Sequence, residues 1–107
     1  MKIFIAGKGK SLNEMVDDRF ARCGYFVTYD TEKKDIVSFE ENPYKEGTGG
    51  VGVKVANYII NNGFEAAIGP EPGPNSANIL KEAGIKVYVF HGHIQDAVES
   101  FLKENEK

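Results

Sequence analysis

The hydrophobic period of the chain changes repeatedly, and each change marks an element. Residues 2–6, Lys-Ile-Phe-Ile-Ala, form a continuous β-prone run stopped by Gly7, the pattern of a strand buried on both faces. Residues 25–30 and 35–41 are two further strand runs separated by the polar turn Thr31-Glu32-Lys33-Lys34, which predicts an antiparallel hairpin. From Val51 to Asn62 the period lengthens to that of a helix, with Val55, Ala56, Ile59 and Ile60 on one stripe and Gly63 as its stop. A short apolar run at 65–69 predicts a strand, 74–84 a helix closed by Gly84, and 85–90 another strand. Ile94, Ala97, Val98, Phe101 and Leu102 mark a last amphipathic helix. The predicted order is βββαβαβα. No internal repeat, low-complexity tract or linker interrupts it, so one domain over residues 1–107 is expected.

If the first three strands meander, right-handed crossovers through the next two helices bring the fourth and fifth strands parallel to the first. The expected fold is α/β, a mixed five-stranded sheet in the order 3-2-1-4-5 with three helices. Its connections 7–24 and 42–52, and the segments after Ile68 and Phe90, all leave from the carboxyl end of the parallel strands. Open α/β sheets take their ligands there. All three helices are expected to start at that end, each offering unpaired backbone N–H groups and a partial positive charge. An anionic ligand suits such a place.

Composition narrows the partners. The 107 residues are 41% hydrophobic and 27% charged, ordinary for a globular chain, and no run approaches the ~18 apolar residues of a membrane span. Thirteen basic and sixteen acidic residues give a net charge of −3, with the basic ones scattered, so the footprint of a nucleic-acid binder is missing. The N-terminus passes into glycine and charge too soon for a signal peptide, and the single cysteine, Cys23, cannot form an internal disulfide. A soluble, cytoplasmic protein is expected.

Three stretches carry candidate chemistry. Gly-Thr-Gly-Gly-Val-Gly (47–52) has the letters of the dinucleotide fingerprint, but it follows a hairpin strand after an intervening loop, and no βαβ unit surrounds it. It reads as a flexible loop leading into a helix, or as a backbone cradle in which Gly47, Gly49 and Gly50 let an anion approach closely. Gly-Pro-Glu-Pro-Gly-Pro-Asn-Ser (69–76) places Gly73 at a helix cap and Pro74 at the first helical position, with Asn75 and Ser76 offering N–H groups and polar side chains. Alone it is a sharp turn; at the ligand end of the sheet it becomes a binding rim. The long 7–24 connection holds Leu12, Met15, Val16 and Phe20, either a short helix or apolar feet, with Asp17 or Asp18 expected to pair with Arg19 or Arg22. Cys23 reads as a small buried hydrophobe or, beside Arg22 and helix N-termini, as a thiol of depressed pKa able to bind a soft metal.

His91 and His93 flank Gly92 just after the last strand. A shared metal site needs the glycine to turn one of them; otherwise they form a surface turn in which His93 caps the last helix. There is no second cysteine, no His-x₃-His pair and no Ser-His-Asp arrangement. A binding protein is therefore favoured over an enzyme. The alternative is binding or catalysis on a phosphorylated metabolite or nucleotide through the glycine loop and helix N-termini, and a third reading is a module whose hairpin edge recruits a partner strand.

Taken together, Val-Asp-Asp-Arg-Phe-Ala-Arg-Cys-Gly-Tyr-Phe (16–26), Gly-Pro-Asn-Ser-Ala-Asn-Ile-Leu-Lys-Glu-Ala-Gly-Ile-Lys-Val-Tyr (73–88) and the closing Val-Phe-His-Gly-His segment resemble the dinitrogenase iron-molybdenum cofactor biosynthesis family over nearly the whole chain. The resemblance implies a ribonuclease-H-like fold and a role in holding or carrying an iron–sulfur-type metallocluster, such as the iron–molybdenum cofactor or a precursor, between donor and acceptor proteins. It aligns Arg19, Phe20 and Arg22 with the family's arginine segment, and Gly73, Pro74 and Asn75 with its glycine-proline-asparagine turn. The histidine that members often carry before the mid-chain glycines is absent from Tyr-Lys-Glu-Gly-Thr-Gly-Gly (44–50). Cys23, His91 and His93 remain as the expected replacement ligands.

Overall fold

In the computed structural model, which describes residues 1–105, the elements are β1 (Lys2–Gly7), β2 (Tyr25–Asp30), β3 (Asp35–Glu41), α1 (Val51–Asn61), β4 (Ala66–Gly69), α2 (Pro74–Glu82), β5 (Lys86–Val89) and α3 (Ile94–Asn105). The sheet runs β3-β2-β1-β4-β5, the expected order. β1 pairs antiparallel with β2 and parallel with β4, and β4 pairs parallel with β5. Gly63 and Gly84 adopt φ of 73° and 77° and end α1 and α2 as expected. Behind them Phe64 N–H donates to the Ile59 carbonyl and Ile85 N–H to that of Leu80, closing the last turns.

The alternation of β1 divides the interior into two layers. Phe4 and Ala6 face α1 and α2 together with Phe26, Val55, Ile59 and Leu80, whereas Ile3 and Ile5 face α3 with Val27, Ile68, Ile94 and Phe101. Phe4 is the hub of the first layer, its ring centroid lying 5.2 Å from Phe26, 5.7 Å from Phe64 and 5.9 Å from Phe20. Each such pair adds about 0.5–1.5 kcal/mol beyond the area it buries.

The connection from residue 8 to 24 forms no helix; Val16 and Phe20, with Leu12 partly, act as apolar feet, whereas Met15 is exposed. Val16 and Phe20 are buried, and the segment crosses both β1 and the turn before α3, pairing Val16 with Gly7 and Met15 with His93. Its charges differ from expectation. Asp17 is turned inward and accepts the backbone N–H groups of Arg19 at 3.1 Å and Gly24 at 3.0 Å, while Asp18 pairs with Lys8 at 3.1 Å. The local backbone supplies closer donors than either arginine, and Arg22 is taken up elsewhere.

Candidate functional site

At the carboxyl end of the parallel strands the arginine segment, the glycine loop and the start of α2 are linked by short contacts. Phe20 lies against Gly69, the last residue of β4, where an added Cβ would meet its ring at 3.0 Å. Two residues on, Arg22 reaches across and donates from Nη1 to the Lys45 carbonyl at 2.9 Å, tying the arginine segment to the loop that carries Gly47, Gly49 and Gly50. Arg19 is exposed at the same end. A Cβ on Gly47 would lie 3.3 Å from Val51, so that loop folds down onto the first turn of α1. Gly49 and Gly50 both take left-handed φ, 78° and 66°, with open space where a side chain would be.

The first turns of α1 and α2 lie side by side. A Cβ built on Gly52 would come within 2.4 Å of the Ser76 hydroxyl oxygen, so glycine is what lets these two helix starts meet. The first intrahelical bonds run from Lys54 to Gly50 and from Ala77 to Gly73. The N–H groups of Val51, Gly52, Val53, Asn75 and Ser76 therefore have no acceptor within their helices. Neither helix has a side-chain cap or an acidic residue in its first turn. Two parallel dipoles thus place their positive ends together without compensation.

α3 departs from expectation. Its first N–H groups are occupied: Ile94 donates to the Glu14 carbonyl at 2.9 Å and Gln95 to that of Leu12 at 3.0 Å, and Asp96 supplies a negative charge in the first turn. The long connection caps this helix, leaving two available N-termini rather than three.

The candidate metal ligands are not brought together. Cys23 is fully buried in the α1–α2 layer, its thiol donating to the Tyr25 carbonyl at 3.4 Å. Burial, reinforced by the negative charge of Asp17, pushes its pKa from 9.0 up to about 12, opposite to the depressed value expected. Arg22, its neighbour in sequence, is directed to the Lys45 carbonyl instead. His91 and His93 are exposed on the other side, His93 beside Ile94 in the α3 layer, with Nδ1 4.0 Å from Asp96. Among the described residues no group of three or more His, Cys, Asp and Glu side chains could hold a metal ion.

A residue without a sequence signal pins the site from below. Asn42 is 2% exposed; its amide donates to the Ala21 and Cys23 carbonyls, both at 2.9 Å, and its oxygen accepts Tyr44 N–H at 2.8 Å. Together with the Arg22–Lys45 bond, this side chain holds the arginine segment to the loop that follows β3. A cleft of about 390 Å³ on the flank of α1, lined by Tyr44, Lys54, Asn57 and Tyr58 among others, was also not foreseen.

The family description of the dinitrogenase iron-molybdenum cofactor proteins matches residues 1–104. The chain belongs to the dinitrogenase iron-molybdenum cofactor family. Among the relatives of this family member, an uncharacterized protein of Methanocaldococcus jannaschii is 32% identical over 94 residues, 85% of this chain and 80% of that protein. The apo form of the orange protein from Desulfovibrio gigas has a similar structure, with a TM-score of 0.88 at 26% identity over 96% of this chain and 88% of that one. A Thermotoga protein described as a candidate NifB protein shares 39% identity with a TM-score of 0.76, covering 95% of this chain and 87% of its own. No helix among the described residues of this family member is long and apolar enough to cross a membrane.

Proposed function

We propose that this family member is a non-catalytic carrier of an anionic metal–sulfur cluster, of the iron–sulfur or iron–molybdenum type, received from a donor protein and passed to an acceptor in the cytoplasm. The observation that carries the reading is the meeting of two uncompensated helix N-termini at Gly52 and Ser76 beneath the glycine loop. Family membership supplies the cluster class, and the Desulfovibrio gigas neighbour, solved in an apo form, supports a fold that is loaded and unloaded. The 3-2-1-4-5 sheet order supports retaining the ribonuclease-H-like grouping.

With Cys23 buried and far from ionising, the cargo is best held as a preformed anion whose metals keep their own sulfide ligands. Gly47, Gly49 and Gly50 let backbone close on it, and Gly73, Pro74, Asn75 and Ser76 present the start of α2. Arg19, exposed, faces the anion directly; Arg22 positions the glycine loop through the Lys45 carbonyl. Each helix N-terminus is worth roughly 0.3–1 kcal/mol to an adjacent negative charge, and a charged hydrogen bond about 1.5–3 kcal/mol. Binding of that strength suits transfer. His91 and His93 are kept as ligands to a metal only in an acceptor or donor complex, since they stand apart from the rim.

Anaerobic reconstitution with iron, sulfide and molybdate, followed by metal analysis and absorption spectra, tests the proposal. We expect near-stoichiometric metal on the wild type and on Cys23→Ala, and a clear loss on the Arg19→Ala, Arg22→Ala double variant. Absence of retained metal on the wild type would overturn it.

A further inference from the structure

Two buried polar side chains, Thr28 and Ser76, make no hydrogen bond within the protein, and Ser76 is the one at the helix starts. It is 3% exposed, yet its hydroxyl makes no hydrogen bond within the protein, whereas Asp17 and Asn42 each make at least two. No buried side-chain polar atom is both fully occluded and unpartnered, so the residual opening at Ser76 lies at its hydroxyl. Side chains on a helix lean toward its N-terminus, which aims this hydroxyl out of the third helical position of α2 into the space shared with the first turn of α1. Through that opening the hydroxyl, which has no partner within the protein, is free to donate to a bound acceptor.

We infer that the first turns of α1 and α2, with the Ser76 hydroxyl between them, form a binding site for one tetrahedral oxyanion such as phosphate, sulfate or molybdate. The inference rests on the rim assigned above and names the anion class that this rim takes without any metal. The N–H groups of Gly52 and Val53 approach from one side and those of Asn75 and Ser76 from the other, so donors converge from two helices on separate oxygens of one ligand. Planar or monatomic anions would use fewer of them. Gly52 is required because any side chain there would fill the space beside the hydroxyl.

Amide NMR of the full chain, titrated at constant ionic strength, is the test. Sodium phosphate, sulfate and molybdate are expected to shift the amides of Gly52, Val53, Asn75 and Ser76 saturably, with dissociation constants on the order of 1 mM, while chloride does not saturate. Ser76→Ala should weaken phosphate about tenfold, the loss of one hydrogen bond to a charged group. Asn75→Asp, at an exposed position, puts a carboxylate in the empty first turn; it should fold normally by circular dichroism and weaken phosphate by more than tenfold. Adenosine monophosphate separates two sources of the same chemistry. Equal affinity for it and phosphate upholds a free oxyanion site, and tenfold tighter binding with the same amide shifts upholds the site as part of a phosphorylated metabolite's. Shifts that never saturate, or that survive Asn75→Asp unchanged, would overturn the inference. Loading with metal and failure to bind phosphate would overturn this inference alone; phosphate binding without metal retention would uphold it and overturn the carrier reading.

Discussion

Replacing Gly52 by alanine probes the contact on which the site depends. In an ordinary helix the change stabilises by about 1 kcal/mol, because alanine loses less backbone entropy than glycine. Here the new Cβ would lie 2.4 Å from the Ser76 hydroxyl oxygen and 3.8 Å from the Ser76 Cβ, so the obstruction is the hydroxyl alone. Forcing that buried side chain to another rotamer, or the helices apart, costs typically 1–3 kcal/mol. Gly52→Ala should therefore destabilise by about 1 kcal/mol. Ser76→Ala, which removes a hydroxyl with no partner, should be near neutral. The double variant leaves only an ordinary methyl contact at 3.8 Å and should recover the helix gain, ending about 1 kcal/mol more stable than wild type. The coupling is thus about 2 kcal/mol, well above the few tenths expected of independent sites. Urea unfolding followed by circular dichroism measures all four stabilities. If Gly52→Ala alone stabilises the protein and the two changes add, the two helix mouths do not meet as described.

Three further outcomes follow from buried groups. The Cys23 thiol should react with a neutral thiol reagent at pH 8 orders of magnitude more slowly than a free cysteine, and at full rate only in denaturant, because it is fully buried and protonated. Its folded pKa, about 12, lies above the ordinary 9.0, so the stability it contributes is fully present below pH 9 and is lost as the pH rises from 9 toward 12. That loss amounts to about 4 kcal/mol at most, and the pH dependence of unfolding should be shallower in Cys23→Ala. Asn42→Ala should cost about 3 kcal/mol in urea unfolding, since it removes at once the partner of the Tyr44 N–H and of the buried Cys23 and part-buried Ala21 carbonyls.

The order of elements and the sheet were legible because they follow from hydrophobic period and crossover handedness, and Gly63 and Gly84 mark their helix ends by a left-handed φ that glycine adopts readily. The path of residues 8–24 was not, because it is fixed by distant backbone partners such as Gly92 and Ile94 rather than by local propensity. That same path caps α3, so a helix that sequence alone leaves open is closed. Of the two readings of Cys23 the buried hydrophobe holds and the depressed thiol does not, because Arg22 turns to the Lys45 carbonyl while burial and the charge of Asp17 both act against ionisation. Residues 47–50 and 73–76 were legible as the approaches to two helix starts, since glycine and proline there carry their own conformational signal. That Gly52 meets Ser76 needed the packed structure.

The central claim is that the cargo sits on that rim and leaves the histidine turn alone. Amide hydrogen exchange, read by mass spectrometry on protein with and without a reconstituted cluster, tests it most directly. The account predicts new protection confined to residues 19–24, 45–53 and 73–77. Protection centred on residues 91–96, with the rim unchanged, would contradict it.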